Sequence, residues 1–369
     1  MGIQHLISPW LASLVPYQPG RPIEEVEREY GIRDSIKLAS NENPLGPSPK
    51  AVAALREALS GVHRYPDGGG FYLKQKVAAM LGVGADQVAL GNGSNEILEL
   101  LARSFLRPGE DAVMSEQAFV VYASVVQAAA GIPRAVALTD FTHNLEAILA
   151  AVRKSTRLVF LGNPNNPTGT IYRREAFERF LERIPRDVVV VADDAYAEYV
   201  EDPGYPCTLD YLAPDRLLVA LRTFSKVYGL AGLRIGYGVG PVEIIAALER
   251  IRQPFNVNSL AQVAALAALD DHEHVERSRK ANREGMRFLE GEFGRLGLAF
   301  VPSQANFVLV RVGDGATVCE VLLRDGVIVR PVAGYGFPEY VRVTVGTTEE
   351  NRRFVAALEK ALAGGGRAP

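Results

Sequence analysis

From about Ala51 to Gln253 the chain alternates short apolar runs with amphipathic stretches, and the apolar runs stop at polar turns. Val188 to Ala192, within VVVVADDAY, is continuously apolar, which predicts a strand buried on both faces, as in a parallel sheet. Leu158 to Leu161 reads as a second strand, running into NPNNPTG, whose two prolines and three asparagines enforce a turn. A third run, RLLVAL, stops where the chain turns at RTFSK. The segment QVAL alternates briefly and breaks at Gly91 and Gly93. Beyond the break, Ile97, Leu98, Leu100, Leu101 and Phe105 recur at helical spacing. Strands and helices in alternation predict an α/β fold with a mainly parallel sheet covered by helices on both faces.

Near QPFNVNS this rhythm changes. A long helical stretch is expected from Ser259 to about Leu296. Strands follow in ANFVLVRV, VIVRPV and YVRVTVG around a short helix, with a closing helix from Thr348, so a second, α+β unit is predicted. The tail AGGGRAP is expected to be disordered. The chain shows no internal repeat and no low-complexity segment.

Chemistry-bearing residues collect where the apolar runs end. RTFSK places Ser225 and Lys226 after a strand, and GLAGLR brings Arg234 shortly beyond. An amine that condenses with a carbonyl, beside a hydroxyl and a guanidinium that hold a phosphate, suits a phosphorylated aldehyde such as pyridoxal phosphate. Taken alone, a lysine after a strand is usually a solvated surface group. Asp193 stands at the carboxyl end of its strand, the end at which open α/β sheets place ligands. A carboxylate there can keep a pyridinium nitrogen protonated, making the ring an electron sink; an N-cap or turn role would explain the residue equally well. Tyr196 is placed to donate its hydroxyl to the ring's phenolic oxygen. Gly93, Ser94 and Asn95 open a helix, whose exposed N–H groups and positive end make a phosphate site. Asn166, at the end of its strand, is a second candidate for the phenolic oxygen, although a structural turn would account for most of its motif.

NPNNPTG, DDAY and RTFSKVYGLAGLR, in this order and spacing, resemble the fold type I aminotransferases that use pyridoxal phosphate. LASNENPLGPSP at Leu38 to Pro49, RYPDGGG from Arg64, GNGSNE, VIVRPVAGYG and VRVTVGT are more closely similar to the histidinol-phosphate aminotransferases. The likeness runs from about Tyr17 to beyond Glu350. It implies that Lys226 holds the cofactor covalently and, once released by substrate, shuttles a proton. Such a role needs a pKa below the lysine reference of about 10.4. It also implies that Asp193 pairs the ring nitrogen and that Tyr196 and Asn166 hold the ring oxygen. Phe119 would stack on the cofactor face, and Ser225, Arg234, Ser94 and Asn95 would contact the phosphate. Tyr65 would reach the phosphate from a neighbouring subunit, which implies a homodimer with shared sites. Arg342 and Arg330 would grip the substrate's carboxylate or phosphate, with Tyr17 and Asn43 on the substrate side. Asp194 stands where Glu is commoner, and Gly-Ser-Asn replaces the Gly-Ala-Asp of many enteric-type members; neither removes a needed group.

The same resemblance joins the N-terminal segment to the second unit. It divides the chain into an N-terminal arm and small-domain segment (1–45), a large cofactor-binding domain (46–255) and a small C-terminal domain (256–369).

Composition narrows the setting. With 369 residues, 48% of them hydrophobic, the chain can bury the core of two domains. A net charge of −3 with no basic run argues against nucleic acid or an anionic membrane as partner. The five histidines offer no metal-ligand spacing, and His272 and His274 read as part of a solvated helix face. Cys207 and Cys319 are too few for a disulfide framework and fit a reducing compartment. The N-terminus lacks the pattern of a secretory signal, and no run reaches the ~20 apolar residues of a membrane span. A cytoplasmic enzyme acting on small molecules is expected. The resemblance favours transfer of an amino group between L-histidinol phosphate and 2-oxoglutarate. Alternatives on the same scaffold are an aromatic amino acid aminotransferase and a phosphothreonine decarboxylase. A cofactor-sensing transcription regulator would need a DNA-binding domain, for which the chain ahead of Leu38 leaves no room.

Overall fold

A computed structural model describes residues 3–17, 20–213 and 215–363. The tail from Gly364 onward, expected to be disordered, lies outside the described residues. In chain order the strands are β1 (Ile36–Lys37), β2 (Val88–Gly91), β3 (Asp111–Ser115), β4 (Ile132–Val136), β5 (Thr156–Gly162), β6 (Val189–Asp193), β7 (Leu218–Thr223) and β8 (Gly236–Val239). They continue as β9 (Phe300–Val301), β10 (Phe307–Arg311), β11 (Val327–Ile328), β12 (Arg330–Pro331) and β13 (Tyr340–Thr344).

Seven strands form one sheet in the order β2-β8-β7-β6-β5-β3-β4. Pairing is parallel from β4 through β7, and β8 runs antiparallel to both β7 and β2. The continuously apolar β6 is buried on both faces, for a visible reason. Val189 and Val191 pack into a cluster with the helices Ser94–Phe105 and Val242–Ile251, while Val190 and Ala192 pack on the opposite side with the helix Arg174–Arg183. Successive side chains of a strand point to opposite faces, so helices on both sides require an unbroken apolar run.

The second unit is a four-stranded sheet, β12-β13-β10-β9, and the two-stranded parallel pair β1-β11. Through β1 and the helix Ile23–Tyr30, which packs Val26 on Ala39 and Ile328, the N-terminal segment belongs to this unit. The expected single helix from Ser259 is two helices, Ser259–Ala268 and His272–Arg295. Asp271 caps the second, accepting the His274 N–H at 3.3 Å and the Ser48 hydroxyl at 2.6 Å. Ala261, Ala264, Ala265 and Ala268 of the first pack with Ala51, Leu73 and Val77. Small alanine side chains let this helix lie close against the helix Pro49–Ala58. His274, expected on a solvated face, is buried, while His272 is exposed.

Candidate active site

The carboxyl ends of β5, β6 and β7 and the wall formed by β12 and β13 enclose a cavity of about 360 Å³. Phe224, fully buried against Tyr228 and Tyr237, anchors the turn after β7 and thereby presents Ser225 and Lys226 to this space. Gly229 closes that turn at φ +70°, and a Cβ there would lie 2.1 Å from the Gly46 carbonyl oxygen. Only glycine permits the segment around Gly46 to seat against the lysine turn. Lys226 donates from Nζ to the Ser40 carbonyl at 3.1 Å and sits 5.5 Å from the Tyr196 ring centroid. Burial, then Arg342 and Arg234, outweigh Glu42 and Asp193 and pull its ammonium down to about 8. The amine thus holds and releases a proton near neutrality.

Asp193 closes β6 and is buried. Its Oδ2 accepts the Tyr122 hydroxyl at 2.9 Å and its Oδ1 accepts the Ala195 N–H at 3.2 Å. Burial raises its pKa, opposed by these hydrogen bonds and by Lys226. Tyr196 accepts at its hydroxyl from Asn41 Nδ2 at 2.9 Å, and burial pushes it up to about 12. Its phenol is therefore a proton donor at physiological pH.

A second group of residues forms an anion cradle. Gly93, at φ +77°, precedes the helix Ser94–Phe105, and Ser94 and Asn95 line the cavity. Arg234, itself left-handed at φ +58°, reaches Ser225 Oγ at 3.5 Å. A Cβ at Gly93 would lie 2.6 Å from the Arg234 guanidinium. The absence of a side chain is what lets the Arg234 guanidinium approach the start of this helix, an arrangement suited to an anion.

Arg342 is buried above the Phe307 ring at 5.2 Å and donates to the Ala39 carbonyl at 2.7 Å and to Asn166 Oδ1. Its buried Nε–H has no hydrogen-bond acceptor. Arg330, paired with Arg342 across β12 and β13 and 5.5 Å from the Tyr17 ring centroid, brings a second guanidinium to the same cavity. Phe119 lines the cavity, edge-on to Tyr122 with centroids 5.7 Å apart. No group of residues suited to a metal ion occurs among the described residues, and no described helix is long and apolar enough to cross a membrane.

The family "Aminotransferase class I and II" matches residues 33–358. The chain belongs to the class I and II aminotransferases. This aminotransferase is 53% identical over 361 residues to histidinol-phosphate aminotransferase 2 of Pseudomonas aeruginosa, covering 97% of this chain and 98% of that protein. It is 50% identical to the histidinol-phosphate aminotransferase of Moorella thermoacetica, covering 96% of this chain and 92% of that one. Among solved structures, histidinol-phosphate aminotransferase from Sinorhizobium meliloti in complex with pyridoxal-5'-phosphate superposes with a TM-score of 0.89 at 29% identity, covering 97% and 98% of the two chains. Aspartate aminotransferase from Thermotoga maritima gives a TM-score of 0.84 at 25% identity, covering 97% and 100%.

Of the residues singled out from the sequence of this aminotransferase, the fold gathers Tyr17, Ser94, Asn95, Phe119, Asn166, Asp193, Tyr196, Ser225, Lys226, Arg234, Arg330 and Arg342 around one cavity, with Gly93 behind the cradle. Asn166 is engaged through its carbonyl oxygen by Arg342, leaving its amide nitrogen as the donor for a ligand oxygen. Asn43 is not among the residues lining the cavity. It is buried and donates to the Val227 carbonyl and Ser278 Oγ, each at 2.8 Å, bracing the lysine turn. Tyr65 lies outside the cavity of its own chain, 83% exposed and stacked on Phe255 at 4.8 Å. Sequence reasoning missed Ser40, Asn41, Glu42, Tyr122 and Tyr335, all of which line the cavity. Tyr122 carried one available signal, standing three residues beyond Phe119 at the start of a helix.

Proposed function

We propose that this aminotransferase binds pyridoxal phosphate and interconverts L-histidinol phosphate and 2-oxoglutarate with imidazole-acetol phosphate and L-glutamate. The observation that carries the reading is the pair of guanidinium groups, Arg330 and Arg342, lining the cavity that also holds the lowered-pKa amine of Lys226. Two guanidinium groups accept a phosphate in one half-reaction and a carboxylate in the other. The full-length relatives that carry this activity in their names support the same substrate.

When bound, the cofactor supplies the electron sink for the carbon that loses its proton. The protein supplies everything else. Lys226 would be the amine that holds the cofactor and moves the proton. Asp193 would pair with the ring nitrogen. Tyr196 and the Asn166 amide would hold the ring oxygen, and Ser94, Asn95, Ser225 and Arg234 would hold the phosphate. Phe119 would pack on the ring face.

The same reading makes the enzyme a cytoplasmic homodimer in which Tyr65 of each chain serves the other's phosphate site. Its exposed ring supports this, as do the exposed Phe71, Tyr72 and Phe255 nearby. Cys207 and Cys319 are free thiols, as suits a reducing compartment.

The test is kcat/KM for L-histidinol phosphate beside L-phenylalanine and L-tyrosine, with 2-oxoglutarate as acceptor. A strong preference for histidinol phosphate supports the reading, and equal or better use of the aromatic acids replaces it with a general aromatic aminotransferase. Lys226→Ala should cut turnover by at least ~10²–10⁴-fold, the usual worth of a positioned acid–base group.

A further inference from the structure

Tyr122 touches both the acid and the aromatic platform assigned to the cofactor. It is the second residue of the helix Val121–Ala128, and its amide donates to the Phe119 carbonyl at 3.1 Å. The ring is buried, stacked on Phe160 at 5.2 Å and nearly parallel, and meets Phe119 edge-on at 5.7 Å. Its hydroxyl donates to Asp193 Oδ2 at 2.9 Å. The end of β5 makes room for this contact, since a Cβ at Gly162 would come within 3.1 Å of that hydroxyl.

We propose that Tyr122 is a positioning residue, aiming the Asp193 carboxylate at the cofactor's ring nitrogen while its ring sets Phe119 against the cofactor face. The inference rests on the assignment of Asp193 to that nitrogen. A carboxylate with two oxygens can swing about its last bond, and each oxygen left unpaired in a buried site is costly. Here Ala195 N–H takes one oxygen and Tyr122 the other, so the carboxylate plane is set before any ligand arrives. Burial holds the Tyr122 phenol well above its usual range, so the proton needed for this bond stays in place. Preorganisation of this kind favours binding because the ordering has already occurred.

The experiment is a double-mutant cycle on the full-length protein, with dissociation of pyridoxal phosphate measured by equilibrium dialysis for the wild type, Tyr122→Phe, Asp193→Ala and the double variant. Tyr122→Phe keeps the ring and removes only the hydroxyl. It should weaken cofactor binding tenfold or more and lower kcat with little change in substrate KM. In the Asp193→Ala background the same change should cost nothing, because the hydroxyl has lost the group it aims. If Tyr122→Phe fails to fold, the double variant, which buries no unpaired carboxylate, still decides the matter by matching or falling below Asp193→Ala. A Tyr122→Phe protein that binds cofactor as the wild type does, or a hydroxyl whose loss costs as much without Asp193 as with it, overturns the proposal. An Asp193→Ala protein with unchanged cofactor affinity removes the underlying assignment, and this inference with it.

Discussion

Arg330 and Arg342 stand directly opposite each other in the antiparallel pair β12–β13. Opposed residues of such a pair share a face of the sheet, and like charges so placed repel. Both line the cavity, and burial with Arg330 close by holds the Arg342 guanidinium below its usual range. An anion relieves this repulsion. Arg342→Ala should lower kcat/KM about 100-fold or more for histidinol phosphate and for glutamate, since truncation also leaves the Asn166 oxygen unpaired. Arg330→Ala should weaken the phosphate substrate more than glutamate. Steady-state kinetics with both donors checks this, and equal losses would separate Arg330 from phosphate recognition.

Lys226 imposes a pH dependence on the cofactor-free protein. Its amine titrates at about 8 in the fold against 10.5 ordinarily, so the folded state disfavours the charged form. The resulting destabilisation is complete below about pH 8, shrinks as pH rises and is gone above the ordinary value. Cofactor-free Lys226→Met should therefore melt a few degrees above wild type at pH 7. Thermal melts from pH 7 to 10.5 should show that gain fading; a constant gain would point to packing instead of charge.

Gly93→Ala should loosen the cofactor. A side chain there is strained at φ +77° and drives its Cβ to 2.6 Å from Arg234. Strain of about 1–3 kcal/mol corresponds to a rise of roughly 5- to 150-fold in the cofactor dissociation constant. Equilibrium dialysis reads it directly.

His143 is buried between Ser115 Oγ at 2.6 Å and the Gly162 carbonyl at 2.9 Å, and burial pulls its imidazole down to about 4. The unfolded chain thus binds a proton here that the folded protein refuses. This contribution is absent above about pH 6.5 and destabilises progressively as pH falls towards 4. Asp194, whose carboxyl burial pushes up to about 7, slopes the other way, losing stability as pH rises from 3.8. The difference between wild type and His143→Gln isolates the histidine. It should favour wild type most at neutral pH and narrow as pH falls to 4, and a difference that stays constant would mean that the fold leaves His143 at its ordinary pKa.

Mixing Tyr65→Phe subunits with Lys226→Ala subunits tests the shared site. Tyr65 is far from its own cavity, so hybrids should contain one intact site and regain activity that neither parent shows. Hybrids without activity would argue for self-contained sites.

The chemistry of this protein was legible in the sequence because parallel strands gather their ends on one side of a sheet. Asp193, Asn166, Lys226 and the turn at Gly93 each close an apolar run or the break after one, so local pattern made them candidates and the family resemblance gathered them into one site. Tertiary structure decided everything that depends on which surfaces meet. His274 reads along the chain as part of a solvated helix face and Asn43 as a substrate-side residue, yet the helix beginning at His272 packs across the lysine turn and draws both inside. The alanine-rich helix Ser259–Ala268 carries no sequence mark of the surface it packs on, and only the fold sets it against the helix Pro49–Ala58. Tyr122 and Asp193 are 71 residues apart, and no periodicity links them. Hydrophobic period reports the face of an element that turns inward, whereas a hydrogen bond between distant elements depends on packing distances that only the assembled fold supplies.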